Sequence, residues 1–149
     1  MKDVVYSKDL ERYLVVEYEG NIVKRIDIER KKPGIDPRGS AIAKSLEKYL
    51  ATGKDCFSGY KVDIEGMTPF ERTVLETIYR IPAGKTMTYA EVAKAAGKPK
   101  AARAVGNVMA KNPIAIILPC HRVLASNGMG GYGGGLDMKA KLLKLEGSL

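Results

Sequence analysis

The second half of the sequence carries the same helix-start signature twice. Thr68-Pro69-Phe70-Glu71 and Thr88-Tyr89-Ala90-Glu91 each place a threonine three residues before a glutamate, which is the pattern of a capping box. The first signature also has a proline at the first helical position, where proline is well tolerated. The sequence therefore predicts one helix from there to about Tyr79 and a second, shorter helix that ends at Gly97.

A further helix is expected directly after the second one. Pro99 permits a helix from about Lys100 to Ala110, and two short helices joined by a tight Gly-Lys-Pro turn are typical of a helix-turn-helix. Small residues recur in this helix and would let its backbone approach another surface closely: Ala101, Ala102, Ala104, Gly106 and Ala110. A tightly packed internal helix has the same composition, but the basic flank of Lys100 and Arg103 favours nucleic acid.

The basic residues are concentrated in the same part of the chain. The net charge is +8, yet residues 1–65 are nearly neutral, with 13 basic and 12 acidic residues. Residues 85–119 carry six basic residues and only Glu91 as an acid. This distribution is expected for a surface that binds a polyanion, although a solvated basic face that keeps the protein soluble would give the same excess.

The first third of the chain reads as β structure followed by a helix. Residues 13–19 and 22–28 are rich in β-branched and aromatic residues, with a Glu-Gly-Asn turn between them. A helix is expected over residues 40–52, and a charged stretch through Gly66 looks like a linker or a loose strand. The sequence thus predicts an α/β N-terminal domain over residues 1–65 and a second, mainly helical domain over residues 66–149.

Composition excludes several classes of protein and site. The longest apolar run, Ile114–Leu118, is too short to span a bilayer, and the N-terminus lacks an apolar signal core. We therefore expect a cytoplasmic protein without a membrane partner. One histidine and two cysteines are too few for the usual zinc site, so no metal is expected. The sequence contains no glutamine and only four asparagines, and this scarcity of heat-labile amide side chains favours a thermophilic source.

Cys120 is the candidate nucleophile because the only histidine of the chain, His121, follows it directly. We expect Cys120 in a turn after a buried strand over residues 114–118, with Arg122 near enough to favour a thiolate. A contact between neighbouring side chains needs a turn or a bridging water, and Glu146 could orient the imidazole. A lone cysteine is more often an inert apolar residue, which is how we interpret Cys56.

The segment Asn112–Val123 resembles the active-site signature of the O6-alkylguanine-DNA alkyltransferases, which repair DNA by direct reversal. The resemblance spans about residues 66–147, in family order and with near-family spacing. Its other blocks are Met67-Thr68-Pro69-Phe70-Glu71, Thr88-Tyr89, Lys100-Ala101-Ala102-Arg103-Ala104-Val105-Gly106, Tyr132-Gly133-Gly134-Gly135-Leu136 and Leu145-Glu146-Gly147. It implies an N-terminal domain with a small RNase H-like sheet plus a helix, followed by a winged helix-turn-helix domain.

The resemblance also implies a reaction and the residues that perform it. One alkyl group would pass from O6-alkylguanine in double-stranded DNA to Cys120 after nucleotide flipping, once per chain, and O4-alkylthymine is left open as an alternative substrate. A monomer without cofactor or metal would suffice. Of the catalytic residues, His121 would deprotonate Cys120 through a bound water, and Glu146 would orient the imidazole. Asn112 would brace the turn that carries the active site. Tyr89 would assist nucleotide flipping and donate a proton toward the guanine ring.

The remaining residues would bind DNA or the flipped base. The helix from Lys100 would lie in the minor groove, with Arg103 entering the base stack. The DNA-binding residues would be Tyr89, Lys100, Ala102, Arg103, Gly106 and Ser126. Main-chain groups near Cys120, Val123 and Gly133 would read the guanine edge. The residues of the substrate pocket would be Met109, Arg122, Val123, Tyr132 and Gly133.

The chain departs from some family members, and two other functions remain open. Ala115 and Gly133 stand where some members have proline and serine, and the N-terminal zinc site of some members cannot form. A transcriptional regulator built on the same helix-turn-helix would not need Cys120. A thiol hydrolase would turn over many times, but it needs an oxyanion hole that the sequence does not reveal.

Overall fold

Segments rich in β-branched and aromatic residues near the N-terminus form three strands of a four-stranded sheet in the computed structural model, which describes residues 1–149. The strands are β1 (Lys2–Ser7), β2 (Arg12–Glu19), β3 (Ile22–Glu29) and β4 (Lys61–Val62), and they lie side by side in chain order. The first three pair antiparallel, whereas β4 runs parallel to β3. The predicted hairpin is confirmed as β2 and β3, while β1 was not predicted.

Helix α1 (Ala41–Thr52) packs against β1 and begins where its sequence predicted. The Ser40 hydroxyl caps it by accepting a hydrogen bond from the Ala43 amide, and Gly53 ends it with a left-handed φ of 71°. Asp3 on β1 holds this helix start, because its buried carboxylate accepts hydrogen bonds from the Ser40 amide and hydroxyl and from the Arg38 amide. The buried face of the helix consists of Ile42, Ala43, Leu46 and Tyr49.

The second half contains four more helices and a short two-stranded sheet. Both capping boxes form, at Thr68 and at Thr88, so both predicted helix starts are confirmed. The helices α3 and α4 pack against each other after a tight turn. Strands β5 and β6 run parallel. The elements are α2 (Pro69–Tyr79), β5 (Met87–Thr88), α3 (Tyr89–Ala95), α4 (Ala102–Lys111), β6 (Val123–Leu124) and α5 (Leu136–Leu145).

The predicted buried strand over residues 114–118 is wrong. Only Ile114 pairs, through a single parallel bridge to Ile26, and the chain then turns. Ile116 adopts a φ of 75° although it is β-branched and almost fully buried, which is a strained conformation for such a side chain. The apolar run is buried by the packing of a turn rather than by a strand, and apolar content alone does not separate these cases.

The chain divides into two units by its internal contacts. One consists of residues 1–63 with 113–115, and the other of residues 64–112 with 116–149. These ranges differ from the contiguous domains 1–65 and 66–149 in residues 64–65 and 113–115. None of the helices combines the length and the apolar character needed to cross a membrane.

Candidate active site

Cys120 lies in a single turn of 3-10 helix that spans Cys120–Arg122 and leads into β6. The Arg122 amide donates to the Pro119 carbonyl at 2.9 Å, which closes the turn. The Asn112 side-chain amide donates to the Leu118 carbonyl at 2.7 Å and so ties the end of α4 to the segment before Cys120. The turn sends consecutive side chains in different directions, with Cys120 facing a pocket and His121 fully buried.

His121, Glu146 and Arg122 form a buried hydrogen-bonded group at the end of α5. The Nε2 atom of His121 lies 2.8 Å from Oε2 of Glu146, and both side chains are completely buried. Arg122 donates from Nε to Oε1 of Glu146 at 2.9 Å and from Nη2 to Oε2 at 2.7 Å. Because both carboxylate oxygens are held, Glu146 presents a fixed acceptor to His121.

Arg122 is placed differently from what the sequence predicted. We expected its charge to favour a thiolate at Cys120 and its side chain to take part in the substrate pocket. Instead its buried guanidinium binds Glu146 on one side and donates to the Ile81 carbonyl at 2.7 Å on the other. A buried guanidinium needs a counter-charge and acceptors, and Glu146 and Ile81 supply both, so Arg122 does not line the pocket.

Lys139 supplies the positive charge that the sequence analysis assigned to Arg122. Its side chain is fully buried, and Nζ donates to the Val123 carbonyl at 2.7 Å and to the Gly131 carbonyl at 3.1 Å. Lys139 escaped notice although a signal was present: it lies on the buried face of α5, three residues before Leu142 and seven before Glu146. A lysine on such a face requires partners.

Burial and nearby polar groups shift the pKa of the Cys120 thiol in opposite directions. Burial raises the pKa of the Cys120 thiol above its usual range, while a hydrogen bond from Asn112 and the charge of Lys139 lower that pKa by a smaller amount. Burial likewise lowers the pKa of Lys139, against the opposing charge of Cys120. Cys120 is therefore a neutral thiol at rest and needs a base to become a nucleophile.

A pocket with a cavity of about 300 Å³ opens onto Cys120. Its walls come from α3, from one face of α4 and from the glycine-rich loop before α5. This volume lies at the lower end of the range for small-molecule sites and suits a single nucleobase. The lining residues are Tyr89, Gly106, Met109, Ala110, Cys120, Gly131, Tyr132 and Gly133.

Two glycines of this loop differ sharply in what surrounds them. Gly130 has a φ of 74°, and a Cβ atom there would lie 2.6 Å from the hydroxyl oxygen of Tyr89. The neighbouring Gly131 amide donates to that same oxygen at 3.3 Å, whereas a Cβ on Gly131 would meet open space. Tyr89 is thus packed against Gly130, and a Cβ atom on Gly106 of α4 would lie 4.0 Å from Cε1 of its ring.

The residues predicted to bind DNA lie mostly on the surface. Lys100, Arg103 and Ser126 are exposed, while Ala102 and Gly106 are half-buried on α4. No ion pair or hydrogen bond holds the Arg103 side chain. Ser126 lies in the turn closed by the bridge between Ala125 and Gly128 and does not line the pocket.

The other cysteine lies apart from this chemistry. Cys56 is half-buried, and its thiol donates to the Lys54 carbonyl at 3.1 Å. It has no histidine beside it, since the only histidine of the chain belongs to the Glu146 group. No cluster of three or more histidine, cysteine or acidic residues is arranged to hold a metal ion.

Comparison with known proteins identifies the family. Residues 69–148 match the family model described as "6-O-methylguanine DNA methyltransferase, DNA binding domain". This match covers more than half of the chain. The chain belongs to the 6-O-methylguanine DNA methyltransferase family. The match contains the pocket, Cys120, His121 and Glu146, so the geometry described above lies within the part that the family shares.

Relatives in this family are similar over most of the chain. The methylated-DNA–protein-cysteine methyltransferase of Methanosarcina acetivorans is 50% identical over 107 residues, which cover 71% of this chain and 67% of that protein. The protein of the same name from Shigella flexneri is 38% identical over 138 residues, or 89% of this chain and 80% of that protein. A crystal structure of Mycobacterium tuberculosis OGT in complex with DNA superimposes with a TM-score of 0.86 at 34% identity, covering 99% of this chain and 92% of that one.

Proposed function

We propose that this protein repairs alkylated guanine in double-stranded DNA by moving the alkyl group onto Cys120, once per chain. One observation carries the proposal: a pocket of nucleobase size ends at a cysteine whose neighbouring histidine is held by a buried carboxylate. Family membership and relatives named as methylated-DNA–protein-cysteine methyltransferases support the same reaction. The reaction needs neither a cofactor nor a metal, because the thiolate itself displaces the base.

The proton of the Cys120 thiol passes to His121 in the first step. A bound water between the two side chains carries it, because His121 points into the core while Cys120 faces the pocket. Glu146 stabilises the resulting imidazolium across the 2.8 Å contact. Asn112 and Lys139 offset part of the cost of a buried thiolate, since both lower the pKa of Cys120.

The thiolate then attacks the alkyl carbon in line with the bond to the guanine oxygen. A sulfur–carbon bond forms, the carbon–oxygen bond breaks, and the electron pair leaves with guanine. Tyr89 donates a proton to the guanine ring and its phenolate takes a proton back from solvent, while the imidazolium of His121 releases the thiol proton. The main chain at Gly133 reads the base edge, while Met109 and Tyr132 line the pocket. Val123, which was expected in the pocket, is fully buried and does not line it, because its carbonyl accepts a hydrogen bond from Lys139 and its amide donates to the Cys120 carbonyl. A thioether has no easy route to hydrolysis, so the protein is consumed.

DNA binding precedes this chemistry, because the target carbon is inaccessible inside a duplex. We propose that α4 enters the minor groove, where its small residues Ala102 and Gly106 allow close approach. Arg103 fills the space in the base stack that the flipped nucleotide leaves, and its freedom from other partners suits this role. Lys100 and Ser126 contact the backbone, as shape and phosphate contacts suffice for a repair protein.

The architecture that we propose has two parts. Residues 1–65 form an α/β domain with an RNase H-like sheet, and residues 66–149 form a winged helix-turn-helix domain that binds DNA and transfers the alkyl group. The protein acts as a monomer in the cytoplasm, where a free thiol persists. Its substrate is O6-alkylguanine in double-stranded DNA.

A duplex with one O6-methylguanine that carries a radiolabelled methyl group tests this function. We expect one methyl group per protein chain, found by mass spectrometry on the peptide that contains Cys120. Cys120→Ala should abolish transfer, and the matched variant Cys56→Ala should transfer as wild type does. Methyl on the Cys56 peptide would overturn the assignment.

The labelled-methyl assay, together with measurements of DNA affinity and of ester or amide cleavage, separates the other two functions. A transcriptional regulator would accept no methyl group and would keep its DNA affinity in Cys120→Ser. A thiol hydrolase would cleave many equivalents of an ester or amide per chain without retaining a label. Either result contradicts the proposed transfer.

A further inference from the structure

Tyr132 carries a hydroxyl group that the steps described above do not use. Its oxygen is buried and has no hydrogen-bond partner in the structure. The ring lines the same pocket as Cys120. A buried hydroxyl without a partner costs free energy, and in native proteins such a group calls for an explanation, such as a role in catalysis. The hydroxyl is therefore a candidate hydrogen-bond donor beside the nucleophile.

The position of the Tyr132 ring is fixed by the loop and by α5. A Cβ atom on Gly134 would lie 3.1 Å from Cε2 of Tyr132 and 3.1 Å from the sulfur of Met138. The ring is thus packed against the backbone of Gly134, and the fully buried Met138 lies beside it. Because the ring cannot move towards Gly134, its hydroxyl stays at the buried end of the pocket.

The charges that act on this hydroxyl are those of the catalytic group. Burial is the larger effect, and together with the negative charges of Cys120 and Glu146 it raises the pKa of Tyr132 well above that of an ordinary tyrosine. The cations nearby have other partners, since Lys139 binds main-chain carbonyls and Arg122 binds Glu146. The phenol therefore keeps its proton and is available as a donor in the pocket that Tyr132 and Cys120 both line.

We propose that the Tyr132 hydroxyl donates a hydrogen bond to the Cys120 sulfur, directly or through one bound water, when the thiol loses its proton. This inference rests on the proposed alkyl transfer. The thiol proton goes to His121, the sulfur–carbon bond replaces the carbon–oxygen bond, and the phenol keeps its own proton throughout. After transfer the hydroxyl loses its acceptor again, because a thioether accepts hydrogen bonds poorly.

Tyr132→Phe tests this role, since it keeps the ring and removes only the oxygen. In a Cys56→Ser background, where Cys120 is the single thiol, thiolate formation is followed by ultraviolet absorbance against pH. We expect the titration midpoint to rise by about one pH unit and the rate with free O6-benzylguanine at neutral pH to fall about tenfold, with recovery above the midpoint. The melting temperature of the unreacted variant should rise, because a buried unpartnered oxygen is gone.

Tyr79→Phe, which alters an exposed tyrosine on α2, is the matched control and should change neither measurement. A titration midpoint in Tyr132→Phe equal to that of wild type overturns the proposal, because the hydroxyl then has no influence on thiolate formation. This holds even if the variant binds methylated DNA more weakly. The titration uses no alkylated substrate, so it decides this proposal separately from the transfer assay.

Discussion

Glu146 accepts hydrogen bonds from His121 and from Arg122 on the same carboxylate oxygen, at 2.8 and 2.7 Å. In the proposed transfer His121 gains a positive charge by taking the thiol proton, so the group then contains two cations and one carboxylate. The thiolate at Cys120 balances the remaining charge. Charge separation in this buried site is therefore local, which favours proton transfer from a thiol whose pKa is raised by burial.

Glu146→Gln should damage both stability and reaction rate. The change leaves the buried guanidinium of Arg122 without a counter-charge, and breaking such a pair costs about 3–5 kcal/mol. Loss of the orienting carboxylate should slow reaction with free O6-benzylguanine by about a hundredfold or more. Urea unfolding and single-turnover kinetics measure the two effects.

The control for this prediction is Asp27→Asn, which breaks the exposed ion pair with Arg25. Exposed pairs contribute about 0–1 kcal/mol, so this variant should resemble wild type. Equal unfolding free energies for the Glu146 and Asp27 variants would contradict the buried network.

Gly130→Ala and Gly131→Ala form a matched pair. Alanine at 130 would require a positive φ and would place Cβ 2.6 Å from the Tyr89 oxygen, so we expect a loss of about 1–3 kcal/mol and slower repair of methylated duplex. Alanine at 131 meets open space and should change stability by less than about 1 kcal/mol. Thermal unfolding of both variants measures the difference in stability between them. Similar melting temperatures would mean that the loop rearranges at little cost in free energy.

Arg103→Ala should slow repair of duplex DNA more than it slows reaction with the free base. The side chain is exposed, and its proposed place is the gap left by a flipped nucleotide, which a free base does not create. Parallel rate measurements on methylated duplex and on O6-benzylguanine test this expectation. Equal losses on both substrates would assign Arg103 to the pocket instead.

Asp3→Asn should make the protein less stable at neutral pH and less sensitive to acid. Burial alone would raise the pKa of Asp3, but hydrogen bonds from Ser40, Arg38 and Val4 outweigh it and lower the pKa. An acid with a lowered pKa in the folded state stabilises the fold above its unfolded pKa, and that stability is lost as pH falls through the folded pKa. Melting temperature against pH should show the two proteins converging in acid, whereas exposed Asp9→Asn should follow wild type throughout.

Local signals made the helices and the hairpin predictable. The capping boxes at Thr68 and Thr88 and the stop at Gly53 depend on neighbouring residues only, so the sequence displays them directly. The proposed nucleophile Cys120 and its proposed partners His121 and Glu146 were predicted from the adjacent cysteine and histidine and from the family resemblance. The contact between His121 and Glu146 joins residues 25 positions apart and follows from packing.

The features that the sequence did not disclose depend on contacts between distant elements. The run from Ile114 to Leu118 is apolar whether it forms a strand or a buried turn, and only the packed structure distinguishes the two. Lys139 takes the role that was expected of Arg122, because packing and not proximity in sequence decides which cation lies near Cys120. The close contact of Gly130 with Tyr89 likewise joins segments about forty residues apart.

A protein that is used up by a single reaction must wait intact until damage occurs. The Cys120 thiol is only 7% exposed and is held mostly protonated by its surroundings. Oxidants and stray electrophiles attack thiolates at accessible positions, so a buried neutral thiol is oxidised slowly. The burial that makes Cys120 depend on a base thus also lengthens the time for which each molecule stays reactive. The repair capacity of a cell then equals the number of molecules that have not yet reacted.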